Sequence, residues 1–178
     1  MGPLFLVTER FDPSCGARWH DYVAWSKLTQ LEEVVSLDSN LCPNVITEIL
    51  DEDWGHIVNA DFMLDYFTDL PYLLRRVGSV AGRNLLCLFQ NPETEPSAPV
   101  DEHGFRYVGC DLVDEHGGIS ALTNCGGFPL AFANAELDAS GLIPSLARAR
   151  EVRQALRQHY PDEDHACCDI WSVFRATR

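Results

Sequence analysis

The stretch 105–128 places polar side chains that could carry out chemistry among apolar neighbours. Asp111, Asn124 and Cys125 lie there, and two glycines follow Cys125 directly. A cysteine at a strand end, followed by exposed backbone N–H groups, is one arrangement of a nucleophile beside an oxyanion hole. The thiol would need a histidine base, and none of the six histidines is adjacent by pattern. A buried, unreactive thiol explains the same residues, because unpaired cysteines more often pack than react.

A second cluster near the C-terminus combines residue types that bind metals: His159, His165, Cys167 and Cys168. Their spacing matches none of the usual zinc patterns, and adjacent cysteines in a strand point to opposite faces. The common motifs for nucleotide binding, serine hydrolysis and zinc peptidase chemistry are absent as well. The sequence therefore predicts no metal site and no other cofactor.

Between residues 48 and 69 the chain carries seven carboxylates and no lysine or arginine. Apolar residues recur at helical spacing over 45–58, which predicts a helix with an acidic outer face. Aromatic residues in this segment could anchor a partner, and the carboxylates would attract a basic one. A solvated acidic face without any partner is the alternative explanation. The predicted binding residues are Glu48, Asp51, Glu52, Asp53, Trp54, Asp61, Asp65 and Tyr66.

The candidate sites must be positioned by strands and helices that the apolar pattern predicts. The predicted strands are 4–11, 85–89, 167–174 and the two arms of a hairpin over 104–125. The predicted helices are 16–28, 45–58, 60–67, 70–77 and 144–159. This order predicts an α+β fold, with a mixed or antiparallel sheet of about five strands packed with four to five helices.

At 178 residues the chain is predicted to form a single domain over 1–178. The stretch 91–102, with three prolines and four carboxylates, is the longest predicted loop. Long surface loops are the segments that move most, so we expect this loop to be the most mobile part of the chain.

The formal charge of −14 bears on the class of partner. A surface of this charge repels phosphates, which disfavours nucleic-acid binding and favours a cationic partner. The seven cysteines are odd in number, with no segment resembling a signal peptide before them, and this predicts reduced thiols in a cytoplasmic protein. The apolar run at 4–7 is too short to span a membrane, so no membrane association is predicted.

Taken together, these features favour a small acidic intracellular interaction protein over an enzyme. An immunity-type or inhibitor protein that neutralises a basic partner fits the charge and size. The alternative is a thiol-dependent hydrolase or transferase that uses Cys125, with Asp111 and Asn124 beside it. A pocket where Cys125, Asp111 and a histidine converge would favour the enzyme. A flat acidic face with exposed aromatic rings would favour the interaction protein.

Overall fold

The computed structural model describes residues 2–59, 65–99, 103–114, 118–123 and 127–177. Within these ranges six strands form one antiparallel sheet, accompanied by three α-helices. The fold is thus broadly α+β. The prediction of about five strands and four to five helices is wrong. The helices predicted over 45–58 and 60–67 account for the difference, and both overlap the run of carboxylates over 48–69, which we name the acidic segment.

The sheet has the strand order β2-β3-β1-β4-β6-β5, and every neighbouring pair is antiparallel. The strands are β1 Leu4–Glu9, β2 Ile57–Asn59, β3 Asp65–Phe67, β4 Arg83–Gln90, β5 Arg106–Val113 and β6 Asp169–Arg175. The α-helices are α1 Ala17–Ser26, α2 Leu70–Val77 and α3 Leu146–His159. Short 3₁₀-helices lie at Pro13–Cys15, Asp51–Gly55, Asn134–Glu136 and Asp164–Cys167.

The central strand β4 is apolar from Leu85 to Phe89 because both faces of the sheet are covered. Leu86 and Leu88 pack in one hydrophobic layer, and Leu85 and Cys87 in the other. Successive side chains of a strand point to opposite faces, so a continuous apolar run supplies both layers. The strand predicted at 85–89 is therefore confirmed, one or two residues longer at each end.

Two helices begin and end as their capping residues predict. The Asp69 carboxylate accepts a hydrogen bond of 3.0 Å from the Tyr72 amide at the start of α2, and Gly78 ends this helix at a φ of 75°. The Ser145 hydroxyl accepts one of 3.3 Å from the Arg148 amide at the start of α3. Side-chain acceptors at the N-cap and glycine after the last turn satisfy backbone groups that a helix leaves unpaired.

The predicted helix over 45–58 is absent. The Val45 amide donates to the Val7 carbonyl at 2.9 Å, and the Glu9 amide donates to the Pro43 carbonyl at 2.9 Å. The chain at 43–45 therefore extends the sheet beside β1, where β3 has already ended. The 3₁₀-helix Asp51–Gly55 and strand β2 follow. The predicted helix over 60–67 is also wrong at Asp65–Phe67, which is strand β3, and its residues 60–64 lie outside the described ranges.

The predicted hairpin over 104–125 forms only in its first arm. Strand β5 pairs along its whole length with β6, and it contacts the returning chain through a bridge between Val113 and Ser120. Residues 121–123 form a turn, so the described part of the predicted second arm contains no strand. Within β5, Gly109 forms a bulge at a φ of 144°, where an added Cβ would lie 2.7 Å from the Leu142 Cβ. Only glycine fits that contact.

Candidate functional site

Asp53 lies within the acidic segment, and its carboxylate is fully buried. Arg76 of α2 holds it through two hydrogen bonds, from Nε to Oδ1 at 2.7 Å and from Nη2 to Oδ2 at 3.0 Å. The Tyr72 hydroxyl and the Leu50 amide each donate to the same carboxylate at 2.7 Å. The Arg76 guanidinium holds the pKa of Asp53 at about 2. This ion pair fixes the 3₁₀-helix Asp51–Gly55 against α2.

A second contact between the same two elements involves His56. Its ring stacks on the Tyr72 ring with centroids 3.8 Å apart, and its Nδ1 lies 3.5 Å from the Asp69 carboxylate. The Arg76 guanidinium also donates to the Glu48 carbonyl at 3.1 Å. The chain around Asp53 is therefore held at both ends by α2 side chains and by its N-cap.

With Asp53 turned inward, its neighbours face solvent. Trp54 keeps 60% of its surface exposed and Leu50 keeps 37%. Glu48, Asp51 and Glu52 are exposed as well, and no Lys, Arg or His of the described residues forms an ion pair with any of them. We name these five residues the acidic turn. It presents an indole ring among three unneutralised carboxylates.

A surface groove of about 350 Å³ borders the acidic turn. Its walls are Val45, Ile46, Thr47, Glu48, Leu50, Arg76, Val77 and Arg83. Both arginines lie close to carboxylates, Arg76 to Asp53 and Arg83 to Glu9 at 3.4 Å. Glu48 is thus the one carboxylate among these wall residues, and no cation of the described residues forms an ion pair with it.

The other predicted binding residues occupy different places. Tyr66 is buried in the sheet and stacks on Trp171 with ring centroids 4.7 Å apart. Asp65 is half-buried, and burial, together with the Asp53 charge, raises its pKa. Asp61 lies outside the described residues. Asp53 therefore supports the acidic turn from beneath, whereas Tyr66 packs in a different hydrophobic layer from Phe67 and Tyr72.

Asp111, predicted as a catalytic candidate, is also fully buried, on β5 at one end of the sheet. Its Oδ2 accepts hydrogen bonds from the Ser36 hydroxyl at 2.7 Å and the Leu37 amide at 2.8 Å. Its Oδ1 accepts from the Ser120 hydroxyl at 2.5 Å and its neighbouring Leu112 amide at 2.9 Å. Burial raises the pKa of Asp111, and these donors oppose the shift. With both oxygens occupied, Asp111 has a structural role in this geometry.

Asp38 extends the same network toward the surface. Its Oδ2 accepts a hydrogen bond of 2.9 Å from the Thr123 hydroxyl and one of 3.4 Å from the Ser120 amide. Its Oδ1 accepts one of 2.9 Å from the Asn40 amide. The Tyr22 hydroxyl donates to the Thr123 carbonyl at 3.1 Å. We name Ser36, Asp38, Asp111, Ser120 and Thr123 the polar cluster. It ties the chain at 36–41 to the chain at 118–123, where the second arm of a hairpin was predicted.

The thiol-enzyme alternative depends on Asn124 and Cys125. Both lie outside the described residues, so their part in any site stays a prediction. Of the histidines, His165 is buried against Phe128 at 5.1 Å between ring centroids, and burial lowers its pKa. Its Nε2 finds no hydrogen-bond partner in the described structure.

The residues near the C-terminus whose types can bind a metal do not form a metal site among the described residues. Cys167 is exposed whereas Cys168 is buried, and burial raises the pKa of Cys168 to about 12. Among the described residues, no three His, Cys, Asp or Glu side chains lie together as a metal site. None of the helices in the described ranges is long and apolar enough to cross a membrane.

Comparisons with protein families, with curated proteins and with solved structures find no match to this chain. The function must therefore be argued from the residues themselves. Sequence reasoning identified the exposed acidic residues from their composition, but it missed Arg76 and Tyr72 as the partners of Asp53. These lie 23 and 19 positions away in the chain. The available signal was an uncompensated run of carboxylates followed by the arginines of α2.

Proposed function

We propose that this protein is an acidic interaction protein of the immunity or inhibitor type, which binds a basic protein partner through the acidic turn. One observation carries the proposal. Trp54 is 60% exposed among three unneutralised carboxylates, on a turn that a buried ion pair holds in place. The predicted cytoplasmic location of the protein rests on the odd number of cysteines in the sequence.

The exposed side chains match the chemistry of an interface with a cationic protein. Tryptophan is enriched among the residues that contribute most to binding, and it also attracts arginine and lysine over its ring face. Surrounding carboxylates attract a basic partner and speed its encounter. An exposed indole inside an acidic rim therefore favours partners that present lysine or arginine next to an apolar contact.

The buried ion pair supports binding because it fixes the turn before a partner arrives. Arg76 and Tyr72 hold Asp53 at 2.7 Å, and the Leu50 amide closes the turn from the other side. A surface already ordered in its binding conformation loses less entropy on association than a flexible loop does. This explains a fully buried carboxylate between exposed ones in one 3₁₀-helix.

The test is a charge-neutralising variant of the acidic turn, Glu48→Gln with Asp51→Asn and Glu52→Gln. The protein and this variant are used as bait in the native cell, at low and at high salt. The control is Asp162→Asn with Glu163→Gln and Asp164→Asn, three exposed carboxylates after α3. Both variants change the formal charge from −14 to −11. They therefore differ only in where the charge is removed.

We expect a basic protein to be retained by the wild type and the control, to be released as salt rises, and to be lost from the variant of the acidic turn. Binding to the purified partner should weaken at least about tenfold, chiefly through slower association. Trp54→Ala should also weaken binding, through faster dissociation. If the wild type, the variant of the acidic turn and the control retain the same proteins equally, the acidic turn is not the binding surface. A folded but inactive Cys125→Ser protein would favour the enzyme alternative instead.

A further inference from the structure

Helix α3 carries four arginines, of which one is paired with carboxylates and three are not. Arg148 is neutralised, with its Nε 2.6 Å from Glu136 and its Nη1 2.9 Å from Glu151. Arg150, Arg153 and Arg157 form no ion pair with any carboxylate of the described residues. Their spacing of three and four residues places them on one face of the helix. We name these three residues the arginine cluster.

Each member of the cluster is held by an uncharged oxygen. An Arg150 Nη2 donates to the carbonyls of Pro92 and Glu93 at 2.7 and 2.5 Å. Arg153 donates to the Asn91 side-chain oxygen at 2.7 Å, and Arg157 donates to the Ala166 carbonyl at 3.1 Å. A guanidinium has five N–H donors, so these bonds position the side chains and leave donors free.

The cluster brings three like charges together. Burial lowers the pKa of Arg153 and the charges of Arg157 and Arg150 lower it further, whereas the nearby Asp169 carboxylate raises it without forming an ion pair. The helix dipole accounts for Arg157 in the last turn, but it does not extend to Arg150 or Arg153. The chain has 27 Asp and Glu residues against 13 Lys and Arg. Three neighbouring arginines that form no ion pair with the described carboxylates therefore run against the composition of the whole protein.

We infer that the arginine cluster binds a phosphate group of a small molecule or of a phosphorylated protein side chain. Guanidinium groups bind phosphate through paired hydrogen bonds, and a doubly charged phosphate offsets more of the cluster's charge than a carboxylate does. The three positions span about 10 Å of helix, so the donors that these hydrogen bonds leave free lie within reach of one such group. Long nucleic acid is disfavoured, because the formal charge of −14 repels an extended polyanion.

This site is separate from the acidic turn and does not depend on its proposed function. Arg153→Gln with Arg157→Gln removes two of its charges. The matched control is Arg18→Gln with Lys27→Gln, two exposed cations on or next to α1 that form no ion pair with described residues. Each double variant changes the formal charge from −14 to −16. A global change of charge is thus separated from loss of the cluster.

The experiment follows NMR signals of the arginine side chains during titration with inorganic pyrophosphate and, separately, with a phosphoserine peptide, at constant ionic strength. We expect saturable shifts at Arg153 and Arg157 with one of the two probes. Affinity should fall at least about tenfold in the cluster variant and stay within about twofold in the control. Binding of pyrophosphate alone identifies a small phosphate compound as the ligand class, and binding of the peptide alone identifies a phosphorylated protein.

Thermal unfolding of each variant checks that it is folded, and Arg157→Gln alone replaces the double variant if that protein unfolds. If neither probe binds saturably up to about 10 mM, the inference is overturned, because most specific sites bind their ligands more tightly than this. Equal binding by the cluster variant and the wild type would overturn it as well. The variant of the acidic turn should bind the phosphate probe as well as the wild type or better.

Discussion

Asp53 and Asp111 are both fully buried carboxylates, and the protein stabilises them in opposite ways. Asp53 is paired with the guanidinium of Arg76, which holds its pKa at about 2. Asp111 has only hydroxyl and amide donors around it, and burial raises its pKa. Taking a charge out of water is costly, and either a counter-charge or several hydrogen bonds must offset that cost. The region of Asp53 uses a counter-charge, and the region of Asp111 uses hydrogen bonds alone.

The difference bears on function. The counter-charge of Arg76 neutralises the inner carboxylate of the acidic segment, so the exposed carboxylates of the acidic turn keep their charge for a partner. The polar cluster around Asp111 instead joins three chain segments, through Ser36, Ser120 and the neighbouring Asp38. The first arrangement presents charge at the surface. The second fixes the path of the chain that follows β5.

Breaking the ion pair should produce the largest effect. Arg76→Met leaves the Asp53 charge buried without a cation, and loss of one partner of a buried pair costs several kcal/mol. We expect a loss of about 3 kcal/mol in the free energy of unfolding, at the low end because Arg76 is partly exposed. Urea unfolding at neutral pH measures it. Arg75→Met, on the exposed side of the same helix, should cost under about 1 kcal/mol. Equal losses for both would mean that Asp53 is not stabilised by its cation.

Asp111→Asn should have a smaller effect of the same sign. The amide supplies one acceptor oxygen in place of two, so either the Leu37 or the Leu112 amide loses its acceptor. A buried unsatisfied donor costs about 1–3 kcal/mol, and urea unfolding near pH 5 measures this. Asp162→Asn, at an exposed position, is the control and should change little. A neutral effect of Asp111→Asn would show that the hydroxyl groups of the polar cluster rearrange freely.

The two carboxylates should respond to pH in opposite directions. The Asp53 pKa is lowered from 3.8 to about 2, so its contribution is present above pH 3.8 and is lost as pH falls toward 2. The Asp111 pKa is raised above 3.8, so the folded state holds its proton more tightly and loses stability as pH rises from 3.8 through the folded pKa. Urea unfolding of wild type, Asp53→Asn and Asp111→Asn between pH 3 and 8 tests this. The cost of Asp53→Asn should shrink toward acid and that of Asp111→Asn toward base; slopes of the same sign would refute the contrast.

Neutralising only the exposed carboxylates should barely change stability. Glu48→Gln with Asp51→Asn and Glu52→Gln removes repulsion between like charges, worth a few tenths of a kcal/mol per pair on helical segments. We expect thermal unfolding at the same temperature or slightly higher. Adding Asp53→Asn to these three changes should lower the unfolding temperature, because it removes the charge that Arg76 binds. A triple variant as unstable as the fourfold one would place the outer carboxylates in the fold instead of at its surface.

Thiol reactivity tests the region around Asp111, and the expected effect is the smallest of these. Burial raises the pKa of Cys42 and of Cys168 to about 12, so both should react only on unfolding. The exposed Cys167 should react first in the folded protein at neutral pH. Cys125→Ser should leave the fastest phase unchanged. If that substitution removes the fastest phase, Cys125 has a reactive thiol and the hydrolase or transferase alternative takes precedence.

The sequence by itself determined the elements whose signals are local. Asp69 and Gly78 lie within a few residues of the helix ends that they cap, and the stripe from Leu146 to Leu156 repeats at helical spacing within α3. The apolar run in β4 likewise carries its own burial. Each of these signals depends on neighbours within about four residues, which any reader of the sequence can see. The same holds for the surplus of carboxylates over 48–69.

Only the tertiary structure decided what the acidic segment becomes. Its apolar spacing suited a helix, but backbone hydrogen bonds between 43–45 and β1, and those that Asp53 accepts from α2, hold it in another conformation. Helical propensity is worth a few tenths of a kcal/mol per residue, which a buried ion pair and sheet pairing exceed. Asp111 likewise found Ser36 some 75 residues away, and the bond depends on the complete sheet. Partners so distant in the chain meet only in the folded molecule, so no local pattern could reveal which carboxylates stay exposed for a partner.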